Sequence, residues 1–270
     1  MDFLAYSRQA DPELDLLEGA VLIAQLAYPA LERGVEARRL DQLAAPLTGL
    51  GLERLPVIAQ ARALADHLHL ACGFRGNTES YHEPENSFVN QVLERKLGIP
   101  ISLALVYIEV ARRAGMQAHG VGFPGHFLVR IDGGDDAAIV DPFFGGEVLD
   151  RAALTRLLHR SAPRMTLVEE MLAPVSVRQF LTRMLINLRS IYAARGDAGR
   201  LLVVLDRLVD LIPDAADEIR DRGYLCARLG APRAAAADLR HYVDALPNAG
   251  DVAEIRKAIE RLEARPQLSH

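Results

Sequence analysis

The segment "IPISLALVYIEVARRAG", residues 99–115, places the strongest constraint on what this chain can fold into. Apolar residues occupy almost every face of the stretch, Pro100 stands in its first turn and Gly115 at its end. This pattern predicts a helix that is buried on most sides and therefore needs other elements to cover it. We expect five side chains of this helix to lie in the core: Leu103, Leu105, Val106, Ile108 and Val110.

The periodicity changes from helical to strand-like after this segment. "AHGVGF", "HFLVRI", "AAIVD" and "EVLD" are short runs of strand character, and "DGGDD" between two of them predicts a hairpin. The first seventy residues instead show helical spacing, and a turn-rich loop, "GFRGNTESYHEPENS", follows them. Helices followed by a small antiparallel sheet predict an α+β domain, which we place at residues 1–165.

The last third of the chain contains an internal repeat. Gly196 and Gly230 are 34 residues apart, and so are Pro213 and Pro247. A period of 34 residues that contains two helices, a short turn and a proline is typical of tetratricopeptide repeats. We therefore predict an all-α repeat region at residues 175–264, which ends in a capping helix with a polar outer face.

The overall composition limits the functional class. The net charge of −5 provides no basic field for nucleic acid, and no apolar run is long enough to span a membrane. The start of the chain lacks a signal-peptide pattern, and two cysteines, Cys72 and Cys226, make no disulfide framework, so we expect a cytoplasmic protein. The histidines lack metal-ligand spacing and there is no phosphate loop, so we expect no metal and no cofactor.

His126 and Asp141 are the first candidates for a site. His126 begins one apolar run and Asp141 ends the next, so neighbouring antiparallel strands would place them side by side. A carboxylate in that position orients an imidazole and raises its basicity, as in a nucleophile–base–orienter triad. The helix that begins at Pro100 would supply the nucleophile, since a helix N-terminus favours an anion.

The order of nucleophile helix, histidine strand and aspartate strand is that of the transglutaminase-like and papain-like folds. The stretches "GFRGN", "NSFVNQVLERKLGIPISLALVYIEVARRAG", "PGHFLVR" and "VDPFFGG" resemble those of the SirB1 family. That family pairs a transglutaminase-like domain with tetratricopeptide repeats, and the resemblance covers nearly the whole chain. It implies a papain-like core with a small antiparallel sheet, followed by helical repeats.

The resemblance also implies where the nucleophile should be. Active transglutaminase-like enzymes have Gly-x-Cys at the helix start, and Gly98 aligns this pattern so that Pro100 stands in the cysteine's place. Ser102 is the nearest hydroxyl, two residues further on and so rotated by about 200° around the helix. We therefore name Ser102, His126 and Asp141 as a triad that is either vestigial or active.

Other polar residues of the same motifs are candidates for a binding groove. Asn86 and Asn90 are four residues apart, a spacing that would place them on one helical face. They could donate to an oxyanion or a peptide carbonyl, or they could cap a helix and hold a loop. We assign four residues to the groove: Asn86, Asn90, Pro100 and Arg130.

Two functions remain open at this point. The first is a non-catalytic, regulatory protein that binds a protein or peptide partner through the groove and the repeats. The second is an amide hydrolase or acyltransferase that uses the serine triad. The second requires Ser102 Oγ to lie within about 3.5 Å of a ring nitrogen of His126 in a cleft that solvent can reach.

Overall fold

A computed structural model describes residues 2–264 of the chain. The described residues form two compact units: one spans Gln9–Met184, and the other combines the residues up to Arg8 with those from Leu185 onward. The division between the two units falls after Met184, within the helix Val177–Arg195. The domain bounds predicted from the sequence, 1–165 and 175–264, stay a prediction. None of the described helices is long and apolar enough to cross a membrane.

Seven helices precede the expected boundary at residue 165. Their bounds are α1 Phe3–Ser7, α2 Leu16–Ala24, α3 Arg33–Ala44, α4 Val57–Ala65, α5 Val89–Arg95, α6 Pro100–Arg113 and α7 Arg151–Ser161. A π-helical turn, Asp66–Ala71, continues α4. Single 3-10 turns occupy Asp11–Glu13, Leu52–Arg54, Pro84–Ser87 and Glu169–Leu172.

Two small sheets accompany these helices. β1 Arg75–Gly76 pairs in parallel with β2 Leu97–Gly98. β3 Gln117–Val121, β4 Leu128–Gly133, β5 Asp136–Asp141 and β6 Glu147–Leu149 form an antiparallel sheet in the order β3-β4-β5-β6. The hairpin predicted at "DGGDD" is the β4–β5 connection, in which Gly133 pairs with Asp136. The predicted combination of helices and a small antiparallel sheet is confirmed.

The helix α6 forms the centre of the larger unit. Every residue from Pro100 to Ala111 is buried, and the five side chains expected in the core are at most 1% exposed. Residues of α2, α3 and α5 contact α6, as do residues of β3 and β4. The helix therefore packs between the N-terminal helices and the sheet, as its apolar sequence requires.

The repeat region consists of helices throughout. Its five helices are α8 Val177–Arg195, α9 Ala198–Leu211, α10 Ala216–Arg228, α11 Pro232–Ala245 and α12 Val252–Glu263. Gly196 and Gly230 follow α8 and α10 with φ of +67° and +79°. This left-handed conformation favours glycine, so the 34-residue spacing of the two glycines reflects the same turn in each repeat.

The short helix α1 belongs to the repeat unit and packs against α9. Phe3 and Tyr6 are at most 1% exposed, and the Arg207 guanidinium lies 4.8 Å from the centre of the Phe3 ring. A cation over an aromatic face is attracted to it, and burial of two aromatic rings adds to the apolar contact. The sequence analysis did not predict this contact, because it joins residues about 200 positions apart.

A charge placed in the middle of α6 tests this account of the core. Val106→Asp should lower the free energy of unfolding by several kcal/mol, because it buries a carboxylate without a partner. Soluble yield and urea unfolding measure the effect. Val203→Asp is the matched control, since Val203 on α9 is 42% exposed. Wild-type stability in Val106→Asp would show that the core is assigned wrongly.

Candidate functional site

The motifs "GFRGN" and "VDPFFGG" meet at β1. Gly76 N–H donates to the Phe143 carbonyl over 3.3 Å, and Asn77 N–H donates to the Gly98 carbonyl over 2.9 Å. A Cβ atom on Gly76 would lie 2.6 Å from the Phe143 ring, so the ring packs directly on the glycine backbone. β1 therefore connects the turn after β5 with the residues that precede α6.

The turn after β5 is organised by the carboxylate of Asp141. Its Oδ1 accepts hydrogen bonds from the backbone N–H groups of Phe143, at 3.0 Å, and Phe144, at 3.3 Å. Gly145 and Gly146 then follow with φ of +75° and +72°. The second of these glycines leaves no space for a side chain, because its Cβ would lie 2.9 Å from the Tyr107 hydroxyl.

His126 and Asp141 are hydrogen-bonded neighbours. Nε2 of His126 lies 2.9 Å from Oδ2 of Asp141, and the two side chains are 9% and 3% exposed. Since the carboxylate oxygen accepts, Nε2 carries the hydrogen, and Nδ1 has no hydrogen-bond partner among residues 2–264. We expected both residues on strands, but His126 lies in the loop before β4, where its N–H donates to the Phe123 carbonyl.

Two aromatic rings flank the imidazole. The Phe144 ring stacks on His126 at a centroid distance of 5.9 Å and an interplanar angle of 20°, while Phe143 meets it edge-on at 6.2 Å. Phe144 is 48% exposed and Phe143 is buried. The imidazole therefore lies under a surface aromatic side chain and has limited access to solvent.

The turn after β5 packs against α6 at Tyr107, two turns beyond Pro100. The Tyr107 hydroxyl is buried and has no hydrogen-bond partner in the described part of the chain. Burial raises the pKa of this phenol well above its usual range, and the carboxylates of Asp141 and Asp66 raise the pKa further. The buried Tyr107 phenol is therefore neutral.

Ser102 is committed to backbone contacts at the start of α6. Its hydroxyl donates to the Asn86 carbonyl over 2.5 Å and accepts the Ile99 N–H over 3.0 Å. The side chain is 2% exposed, and no hydrogen bond joins it to His126 within residues 2–264. The serine therefore caps the helix and joins it to the preceding loop, and its proton points to a carbonyl oxygen.

The two asparagines assigned to the groove lie on different elements. Asn86 belongs to the 3-10 turn Pro84–Ser87 and Asn90 to α5, so the expected single helical face is wrong. Phe88, which stands between them, is in an extended conformation and interrupts the helical periodicity.

Asn86 is a structural residue of the loop. Its amide donates to the carbonyls of Ser80 and Tyr81 and its Oδ1 accepts from Asn77. Asn90 is also buried, and its Oδ1 has no partner in the described residues. Asn86 and Asn90 are at most 6% exposed, and the Asn86 amide already donates to backbone carbonyls. Neither side chain therefore lines an open groove.

The other two groove candidates differ in their surroundings. Pro100 is the buried first residue of α6. Arg130 lies on β4, where Nε donates to Asp132 Oδ1 over 2.7 Å and Nη1 approaches the Leu172 carbonyl at 3.5 Å. Pro100 therefore lies near the Ser102 cap, while Arg130 contacts the segment that follows α7.

Cys72 is the one thiol in the larger unit, and its surroundings do not activate it. Its Sγ lies 3.6 Å from His67 Nε2, which itself lies 2.7 Å from the Leu43 carbonyl. A ring nitrogen that donates to a carbonyl carries a hydrogen and cannot take the thiol proton. Burial raises the pKa of the Cys72 thiol, against a smaller opposite effect of Lys96.

No set of metal ligands accompanies these groups. Among the described residues, no three or more histidine, cysteine, aspartate or glutamate side chains lie together as metal ligands would.

Comparison with known proteins places the chain in a superfamily. Residues 35–186 match the family model of the transglutaminase-like superfamily, and residues 188–260 match a tetratricopeptide repeat model. The chain therefore belongs to the transglutaminase-like superfamily and carries tetratricopeptide repeats after that domain.

Relatives match over most of their length. A UPF0162 protein of Xylella fastidiosa (strain Temecula1) is 37% identical over an alignment of 254 residues, which covers 91% of this chain and 89% of the relative. A UPF0162 protein of Pseudomonas aeruginosa is 30% identical over 224 residues, 83% of this chain and 82% of the relative. The chain is thus a member of the UPF0162 proteins.

A more distant likeness is to a eukaryotic protein. Human F-box only protein 21 is 30% identical over an alignment of 165 residues, which covers 52% of this chain and 26% of that protein. No solved structure matches the chain.

The hydrogen bond between His126 and Asp141 should have a measurable effect on stability. His126→Ala should lower the free energy of unfolding by about 1–3 kcal/mol, because Asp141 Oδ2 stays buried without its donor. Urea unfolding measures the difference, and His159→Ala on the exposed face of α7 is the control. An unchanged midpoint in His126→Ala would mean that the pair does not stabilise the fold.

The close packing around Gly146 predicts that an alanine at this position destabilises the protein more than an alanine at Gly134. Gly134→Ala meets no atom within 4 Å, so it should cost only the left-handed backbone strain, about 1–2 kcal/mol. Gly146→Ala has the same strain and also places a methyl group 2.7 Å from Ala65 Cβ, so it should cost about 1–3 kcal/mol more. Thermal unfolding compares the two variants; equal losses would contradict the close packing against α4 and α6.

Proposed function

We propose that this protein is a non-catalytic, regulatory binding protein, in which a degenerate transglutaminase-like domain and tetratricopeptide repeats recognise a protein or peptide partner. One observation carries the proposal: the start of α6 holds no free nucleophile. Pro100 has no nucleophilic atom, and the Ser102 hydroxyl is buried between the Asn86 carbonyl and the Ile99 N–H. His126 and Asp141 then remain as a base and orienter without a group to deprotonate.

The thiols of the chain support the same conclusion. Cys72 lies beside a histidine nitrogen that is already engaged with a carbonyl, and Cys226 is buried in α10 of the repeat unit. Burial raises the pKa of the Cys226 thiol as well, so neither sulfur has the surroundings of a reactive thiolate.

The repeats support a protein partner. Tetratricopeptide repeats suggest protein–protein interaction, and the net charge of −5 disfavours nucleic acid. From the motif resemblance we also propose that the chain is a SirB1 family member, and from the sequence features described above we propose a cytoplasmic location. The names of the UPF0162 relatives state no activity, so they favour neither binding nor catalysis.

The alternative of an amide hydrolase or acyltransferase has a specific geometric difficulty. Its nucleophile would be Ser102, whose proton points to a backbone carbonyl rather than to His126. Freeing the hydroxyl would leave the buried Ile99 N–H and Asn86 carbonyl without this partner, which costs about 1–3 kcal/mol for each group. We therefore do not favour catalysis by this serine.

A turnover assay tests the proposal. The intact protein, Ser102→Ala and His126→Ala are incubated with peptide amides, a peptide ester and a primary amine acceptor. We expect no turnover above buffer and no difference among the three proteins. We also expect no alkylation by iodoacetamide at the site, as followed by peptide mass mapping. Turnover that is lost in both variants, with circular dichroism showing an intact fold, would overturn the proposal.

A further inference from the structure

A continuous set of aromatic contacts runs across the surface above His126. Tyr81 meets Phe143 edge-on at a centroid distance of 5.9 Å, and Phe143 meets Phe144 at 5.0 Å. Tyr81 is 40% exposed and Phe144 is 48% exposed, while Phe143 is buried between them. We call these three residues the aromatic strip. Such an exposed apolar patch around a site is typical of an interaction surface.

Two arginines accompany the aromatic strip. The Arg160 guanidinium, from α7, lies 5.7 Å from the centre of the Phe144 ring. At the other end of the strip, burial raises the pKa of the Tyr81 phenol, and the positive charge of Arg183, from α8, acts in the opposite direction. Both arginines are exposed side chains of the larger unit.

These two arginines have no acidic partner in the described part of the chain. Within residues 2–264, no ion pair or hydrogen bond involves the guanidinium of Arg160 or Arg183. On the same helices, Arg151 pairs with Glu169 at 2.6 Å and Arg178 pairs with Asp11 at 3.1 Å. An apolar surface between two uncompensated positive charges is complementary to an apolar residue between two negative ones.

We infer that the aromatic strip and its two flanking arginines bind an acidic peptide segment of a partner protein, one that carries an aliphatic or aromatic residue between carboxylates. The central side chain packs on Phe144 and Tyr81, and the carboxylates pair with Arg160 and Arg183. This inference rests on the proposed function, because it names the chemistry of the partner that the proposed function requires.

Nucleic acid is the competing anionic occupant, since bases stack on aromatic rings and arginine contacts phosphates. The chain as a whole carries a net charge of −5, which repels a polyanion at long range. A short acidic segment brings fewer charges and is recognised by local contacts, so the observations favour the peptide.

The experiment uses a random-peptide display library selected on the intact protein. The enriched peptides are synthesised with blocked ends and titrated against the wild type, Arg160→Glu, Arg183→Glu and Phe144→Ala. Arg62→Glu is the matched control, because Arg62 on α4 is also exposed and has no ion pair among the described residues. Circular dichroism melting confirms that each variant is folded, and a random single-stranded oligonucleotide is titrated in parallel.

We expect the enriched peptides to be acidic around an apolar residue, and the affinity to fall about tenfold in each arginine reversal and in Phe144→Ala. Arg62→Glu should bind like the wild type, and added salt should weaken the complex. Three results would overturn the inference: no acidic enrichment, equal binding by Arg160→Glu, Arg183→Glu and Arg62→Glu, or tighter binding of the oligonucleotide with the same arginine dependence. Acidic peptides that bind through these arginines but emerge cleaved would support the inference and overturn the non-catalytic function.

Discussion

The burial of α6 on almost every side is the constraint on which the rest of the larger unit depends. A helix whose first twelve residues are all buried has no solvent to satisfy the polar groups at its N-terminus. Pro100 removes one backbone donor, and the Ser102 hydroxyl satisfies another by accepting the Ile99 N–H. The same hydroxyl donates to Asn86, so the helix start is joined to the loop before it.

In the proposed function, the start of α6 serves the fold rather than catalysis. A serine nucleophile must pass its proton to the base, and the Ser102 hydroxyl instead donates that proton to the Asn86 carbonyl. Asp141 also has a structural task, because its Oδ1 holds the turn at Phe143 and Phe144. The histidine–aspartate pair can therefore persist without catalysis, since it satisfies a buried carboxylate.

Much of the fold could be predicted because its signals are local. The apolar segment 99–115, the alternating strands and the 34-residue spacing each reflect periodicity within one element or repeat. The pairing of His126 with Asp141 followed from the superfamily resemblance together with the order of the strands. What was missed depends on contacts between distant residues, such as Phe3 under Arg207 or Ser102 against Asn86, sixteen residues earlier.

In the candidate site, too, the features that depend on contacts between distant residues were not predicted. Asn86 and Asn90 have helical spacing, but the extended Phe88 separates their elements, and no pattern in the sequence marks that interruption. The aromatic strip was also missed, because Tyr81 and Phe143 are more than sixty residues apart and meet only through the folded loop around β1. The unpaired state of Arg160 and Arg183 depends on which acidic side chains lie near them in the folded protein, so sequence spacing could not reveal it.

The central claim is that the protein binds a peptide without cleaving it or reacting with it. A titration of the isotopically labelled intact protein with an acidic partner peptide tests this claim most directly. Nuclear magnetic resonance follows the His126 imidazole and the Phe144 ring. Mass spectrometry then measures the masses of the protein and of the peptide. We predict that the signals of both rings shift in a saturable way, that the Ser102 signal stays unchanged, and that neither mass changes. A covalent acyl adduct on the protein, or a shortened peptide, would contradict the central claim.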